Sequence, residues 1–296
     1  MTTELLTQPS PTRRRRRKGM GRGFLGLGGT GFIGYVSAAL ILGAILLAIL
    51  GPIIRPYDPN LINFSYANVG TITGHPLGFD GQGRDLLSRL MVGARTSVIG
   101  PMSVALLAVI VGSTVAIVTA WFGGWFDTVV SAVLDILFSF PGILLAVVAA
   151  AVFGPSLFSA VLALAIAYAP YVARVLRGAA LRERAQAYVA AMEVQGFGAW
   201  RICAKHLLPN IASLIVAQGT ILFGWAMVDI AAVSFLGLGV QAPTADWGVM
   251  ISEGKIGLLQ GYPLESFASA LCIIVIVSAV SFLGERLNQR SQLGYR

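Results

Sequence analysis

An all-α membrane protein with six transmembrane helices is the fold class this sequence predicts, and three observations predict it. Of its 296 residues, 56% are hydrophobic and 11% charged, whereas an average soluble domain is about 45–50% apolar and about 25% charged. Six apolar runs approach or exceed the roughly 20 residues that carry a helix across a bilayer core. The polar segments between them also differ in charge sign, with basic excess on alternate sides.

The chain divides into a basic tail over residues 1–31 and a membrane domain over 32–296. The tail holds the run RRRRRK, Arg13 to Lys18, directly ahead of the first apolar segment. That is where an orienting cytoplasmic charge belongs; anionic lipid headgroups are an alternative partner for it. Without the first 22 residues the net charge of +8 falls to 14 basic against 12 acidic residues, so a nucleic-acid partner is not expected.

Spans are expected at about 32–54, 98–122, 129–153, 156–173, 211–240 and 267–283. The first exceeds the ~7–15 apolar residues of a signal-peptide core and has no small-x-small cleavage site after it, so it reads as a retained anchor. Residues 75–95, HPLGFDGQGRDLLSRLMVGAR, place Leu86, Leu87, Leu90 and Met91 on one helical face, with Arg84, Asp85 and Arg89 largely elsewhere. This predicts a separate helix lying at the outer interface before the second span.

Between the fourth and fifth spans, Arg174 to Lys205 holds six basic and two acidic residues. Leu181, Ala185, Tyr188 and Met192 recur at i, i+4, i+7 and i+11, which predicts one amphipathic helix starting near Leu181. Gly196 interrupts it, and Pro209 suits the start of the fifth span, where a missing amide donor costs little. Such a helix can lie on lipid, pack on its own bundle, or insert into a groove on a soluble partner.

Beyond the fifth span, glycines and Pro243 in SFLGLGVQAPTADWGVMISEG, residues 234–254, end the helix. Trp247 there suits the interfacial aromatic belt. Arg286, Arg290 and Arg296 against Glu285 make the C-terminal tail basic, whereas residues 56–95 are balanced and 241–265 carry Lys255 against Asp246, Glu253 and Glu265. Both termini are therefore expected in the cytoplasm. No long internal repeat supports an inverted-repeat carrier.

Enzymatic chemistry is not expected. No G-x-x-x-x-G-K-[ST] phosphate loop occurs, since Gly254-Lys255 is followed by Ile256. GLGGTG, Gly26 to Gly31, matches G-x-G-x-x-G but follows a basic tail rather than a strand, so it lacks the βαβ context that binds a dinucleotide. His75 and His206, the two histidines, fall on opposite sides and cannot share a metal. Cys203 and Cys272 read as unpaired thiols. No catalytic, cofactor or metal site is expected in this chain, and neither a hydrolase nor a proton-relay carrier finds its constellation.

Two acids lie within apolar runs: Asp135 in the third and Asp229 in the fifth. A charge at mid-bilayer is costly unless it is paired or faces water. Both are candidates for lining a pathway, where an acid can meet an amine; pairing with a neighbouring subunit or lying near a span end is the alternative.

Three stretches resemble a known family. YVAAMEVQGFGAWRICAKHLLPN resembles the cytoplasmic loop of ABC importer permeases, whose pattern is Glu-Ala-Ala, three residues, Gly, nine residues, a hydrophobic or His position, one residue, Leu-Pro. Gly196, His206, Leu208 and Pro209 match in register, while the Glu-Ala-Ala positions read Ala190, Ala191 and Met192. LGFDGQGRDLLSRLMVGAR is similar to a stretch of the dipeptide/oligopeptide/nickel permeases, with Phe79 in place of Thr. SFLGLGVQAPTADWGVMISEG resembles a third segment of the same group. Asp135 coincides with an acid common in the family, and Asp229 stands one residue before a usual Glu, where this chain has Ile230. The likeness covers roughly residues 30–290 and points to the C-type subunit.

The resemblance implies the type I ABC importer permease fold and a permease for di- or oligopeptides in the prokaryotic cytoplasmic membrane; nickel, glutathione or another small solute is the alternative cargo, with an ion-driven carrier or channel behind it. It implies a coupling loop over 174–210, with Tyr188, Ala190, Ala191, Met192, Gly196, His206, Leu208 and Pro209 in the ATPase-coupling part. The implied partners, besides the lipid bilayer, are a homologous B-type permease, two ABC ATPase subunits that bind ATP and Mg, and an extracytoplasmic substrate-binding protein.

Overall fold

The computed structural model describes residues 31–294, with side chains placed through Gln289. The run Arg13 to Lys18, nearly all of GLGGTG, and Arg296 lie outside the described residues. Every regular element among those described is helical. Five helices are long and apolar enough to cross a membrane, and a bent pair brings the number to six if it counts as one span.

The first helix, α1 (Gly31–Ile54), lies at the periphery, with 22% of its apolar window buried. A loop with a short 3-10 turn at Phe64–Tyr66 leads to α2 (Leu86–Phe122), one helix of 37 residues. The separate interfacial helix expected before span two is thus corrected: it is the N-terminal part of α2. Asp85 starts the helix by accepting the Ser88 amide at 2.8 Å. Leu86, Leu90, Ala94 and Val98 then carry one buried face inward without a break. At 1.5 Å per residue, α2 is about 55 Å long, far more than a ~30 Å hydrocarbon core.

The third span is also corrected. Instead of one helix over 129–153, the chain forms α3 (Gly124–Phe138) and α4 (Gly142–Phe153), bent by 81°. Pro141 has no amide to continue α3 and disfavours a helical conformation at Phe140, while Ser139 turns its hydroxyl back to the Asp135 carbonyl at 2.8 Å. The continuous apolar run conceals this break.

Helix α5 (Leu157–Arg184) runs 11 residues past the expected end of span four. It is followed by α6 (Ala187–Val194), a one-turn α7 (Ala199–Ile202), and α8 (Leu208–Phe235). A π-turn over Cys203–Leu207 joins α7 to α8, so 199–235 is one helical run. Pro209 therefore sits inside a continuous helix rather than at the start of a span. Its missing donor is accommodated by the wider turn, in which the Leu208 amide reaches the Cys203 carbonyl. Last come α9 (Trp247–Leu259) and α10 (Leu264–Gly294).

The core is the meeting of α2, α5, α8 and α10. Ala105, Ala108, Ala116 and Ala120 of α2 share one cluster with Val172, Leu176 and Ala179 of α5, Leu222 and Met227 of α8, and Ile276 and Val280 of α10. Small residues permit this close approach, as they do between membrane helices generally. At Gly112 any Cβ would lie 2.7 Å from the Val172 side chain.

Candidate functional site

At the end of the bundle expected to be the inner one, α6 and α7 form a small lobe on the ends of α2 and α5. Its inward residues are Val189, Ile202 and Leu207, packed with Trp121, Tyr188, Met192 and Phe197. Arg184 donates to the Ala120 carbonyl at 2.7 Å and stands 4.8 Å over the Trp121 ring, fixing the end of α5 to the end of α2.

The amphipathic helix expected from Leu181 onward is corrected. Gln186 is extended, with φ −72° and ψ 144°, so α6 starts anew and the Leu181, Ala185, Tyr188, Met192 face is split. Leu181 and Ala185 are exposed, and Tyr188 and Met192 half-buried. At this bend Glu183 is buried. Its Oε1 accepts from the Tyr188 hydroxyl and from Asn210 Nδ2, both at 2.7 Å. One carboxylate thereby holds α5, α6 and α8 together. The stretch 174–184, expected in the loop, belongs to α5.

Gly196 has φ +82°, the left-handed conformation that glycine adopts without strain. Nothing crowds its missing side chain, so its role is the turn and not a close approach. His206 lies half-buried beside Tyr188, with ring centroids 6.4 Å apart. Ala190, Ala191, Leu208 and Pro209 are exposed. The lobe turns two large apolar side chains outward: Val194 is 89% and Trp200 84% exposed.

The two intramembrane acids are separate. Asp135 on α3 pairs with Arg174 of α5, whose guanidinium also stands 4.9 Å over Phe138, and Asp127 pairs with Arg177 one turn on. Asp229 on α8 accepts the Tyr168 hydroxyl at 2.5 Å. His75 and His206 are at opposite ends of the bundle; His75 bonds to Asp85 through Nδ1 at 2.7 Å. Among the described residues no cluster of His, Cys, Asp or Glu could hold a metal.

Sequence reasoning missed a charge network at the opposite end of the bundle, the one expected to be the outer end. Arg84 Nε contacts Asp80 at 2.5 Å, and the terminal nitrogens of Arg84 and Arg89 reach the same Glu253 oxygen at 2.8 and 2.7 Å. Asp80, Arg84 and Arg89 are buried, so the residues expected off the apolar face of an interfacial helix lie inside the protein. Burial disfavours the Arg84 charge, but the Asp80 and Glu253 carboxylates outweigh it and leave the pKa raised. Trp247 is likewise corrected from an interfacial residue to a buried one, 1% exposed, its ring N–H donating to the Leu90 carbonyl at 3.0 Å. Beside it Asp246 caps α9 and accepts from Ser97 at 2.8 Å; burial pushes its carboxyl up against these hydrogen bonds. Gly93 admits this contact, since a Cβ there would meet Asp246 and Trp247 at 3.3 Å. The clue in the sequence was that two family-like stretches, 77–95 and 234–254, fall on the same side.

Residues 108–293 match the family model described as the inner membrane component of binding-protein-dependent transport systems. The chain belongs to this family. It is a permease subunit of an ABC importer, a multi-pass membrane protein and not itself an enzyme. It is 33% identical over 255 residues to the glutathione transport system permease protein GsiD of Pectobacterium atrosepticum, covering 86% of this chain and 84% of that one. It is 34% identical over 253 residues to the dipeptide transport system permease protein DppC of Alkalihalophilus pseudofirmus, covering 86% and 83%. To the probable D,D-dipeptide transport system permease protein DdpC of Escherichia coli it is 33% identical over 246 residues, covering 83% and 82%. In this permease the inner lobe, the paired acids and the outer network are the polar structures set on an apolar bundle.

Proposed function

We propose that this chain is the C-type permease of a di- or oligopeptide importer, forming half of the pathway beside a homologous B-type permease. Residues 1–31 are its cytoplasmic tail and 32–296 its permease domain, with six spans of the type I importer fold, both termini in the cytoplasm and the bilayer a prokaryotic cytoplasmic membrane. An extracytoplasmic binding protein delivers substrate, and two ATPase subunits dock below, binding the ATP and Mg that this chain does not. The peptide substrate is supported by the relatives named for dipeptides and glutathione.

The observation that carries the coupling assignment is the inner lobe. Its inward face is locked to α2, α5 and α8 through Val189, Ile202, Leu207 and Glu183. Its outward face exposes Val194, and Trp200 borders an open apolar cleft shared with Ile117 and Trp121 of α2. A rigid lobe with an apolar outer face suits a groove on a soluble partner. Closure of the ATPase dimer would then move the lobe as a unit and reorient the helices to which it is tied. Asp135 and Asp229 are the candidate pathway residues.

The test is reconstitution of this chain with the B-type permease, both ATPases and the binding protein in proteoliposomes. ATP-dependent uptake of dialanine is expected, and deletion of residues 188–205 should abolish assembly or coupling. A complete ATP-independent pore formed by the chain alone would overturn the reading.

A further inference from the structure

An acid and three aromatic rings meet between α5 and α8, and neither the inner lobe nor the outer network uses them. Tyr168 donates its hydroxyl to Asp229 Oδ2 at 2.5 Å. The Trp225 ring lies 5.1 Å from Tyr171 and 6.4 Å from Tyr168, centroid to centroid. Asp229 Oδ1 has no hydrogen bond to any described residue. Trp225 is 43% exposed, so the cluster opens away from the bundle on one side.

An intramembrane carboxylate avoids lipid and turns to a partner helix or a water-filled path. The third span breaks at the same place. Gly142 opens α4, and a Cβ built there would stand 3.9 Å from Asp229 Oδ2. Interrupted helices in transporters gather where a solute is handled at membrane depth. One carboxylate with a free oxygen, joined through Tyr168 to a cluster of aromatic rings, is the chemistry that takes a cation of the ammonium type. A metal ion would need more ligands than this cluster has, and an anionic group would meet Asp229 unfavourably.

We propose that Asp229, Tyr171 and Trp225 form a recognition site for the primary ammonium group of the transported peptide, with Tyr168 positioning the carboxylate. This rests on the peptide reading of the substrate. In the reconstituted importer, uptake of radiolabelled dialanine is measured alone and against N-acetyl-dialanine as competitor. The free amine is expected to be strongly preferred. Asp229→Asn should raise the KM for dialanine about tenfold or more, with a smaller change in maximal rate per assembled complex, and should remove the preference for the free amine. Trp225→Leu, which keeps an apolar side chain, should raise KM about two- to fivefold. Asp229→Glu should restore part of the preference. If the unaltered importer moves no dipeptide, the peptide reading falls and this inference with it. If it moves dialanine and the variants keep both KM and preference, the inference alone is overturned. Should Asp229→Asn fail to assemble, Trp225→Leu and Asp229→Glu decide by the same readings.

Discussion

In the proposed orientation the outer and inner ends of this permease are both rich in charge, and they dispose of it in opposite ways. At the outer end Asp80, Arg84, Arg89 and Glu253 neutralise one another inside the protein, under a buried Trp247. At the inner end Glu183 and Arg184 tie helices together, while Val194 is exposed and Trp200 edges an open apolar cleft beside α2. The outer end is closed on itself; the inner end carries a lobe held at its base with apolar side chains exposed, as the proposed lever requires. A transporter driven by a soluble engine needs this asymmetry, because force enters only where a rigid element is also exposed.

The largest effect on stability is expected from Arg89→Leu. Removing one partner leaves the buried Asp80 and the half-buried Glu253 carboxylates without their full compensation, a loss of about 3–5 kcal/mol, read as a fall in the thermal midpoint of the assembled complex. An unchanged midpoint would show that water compensates the network and that the outer end is not closed. Glu183→Ala comes next, at about 1–3 kcal/mol, because it removes the buried acceptor that the Tyr188 hydroxyl and Asn210 amide share. Its sharper signature is a lobe freed from α5, seen as faster amide exchange over 187–202 with exchange in α2 unaltered.

Gly196→Val is smaller still, roughly 1–2 kcal/mol, since a branched side chain is strained at φ +82°. The strain is local, so transport per ATP hydrolysed should fall more than folding stability does. The least effect on stability belongs to Trp200→Ala, within about 0.5 kcal/mol for an exposed position. Its effect on ATPase docking should instead be that of an interface anchor, about 2 kcal/mol or more, measured as weaker co-purification. Equal stability losses for Trp200→Ala and Arg89→Leu would erase the contrast between the two ends.

Length and hydropathy made five spans and their order legible, because a bilayer imposes them through composition. What the sequence concealed was long-range pairing. Arg84 and Arg89 meet Glu253 across 169 and 164 residues, so no local period shows that these arginines face inward. The same blindness split α2 into an interfacial helix and a span. Pro141 was the visible sign of the third span's bend, but the apolar run on either side masked it. In the inner lobe the Gly196 turn was readable from residue type alone. The break at Gln186 was not, and the Glu183 contact beside it reaches Asn210, 27 residues away.

The central claim is that the ATPase docks on the outward face of the inner lobe. With Cys203 and Cys272 replaced by alanine, Trp200→Cys and Val194→Cys are treated with a short thiol cross-linker in the assembled importer, with Tyr57→Cys at the outer end as the control. Cross-links to the ATPase subunit from positions 200 and 194, and none from 57, are the expected result. Their absence from both lobe positions in a complex that still hydrolyses ATP and transports would contradict the account.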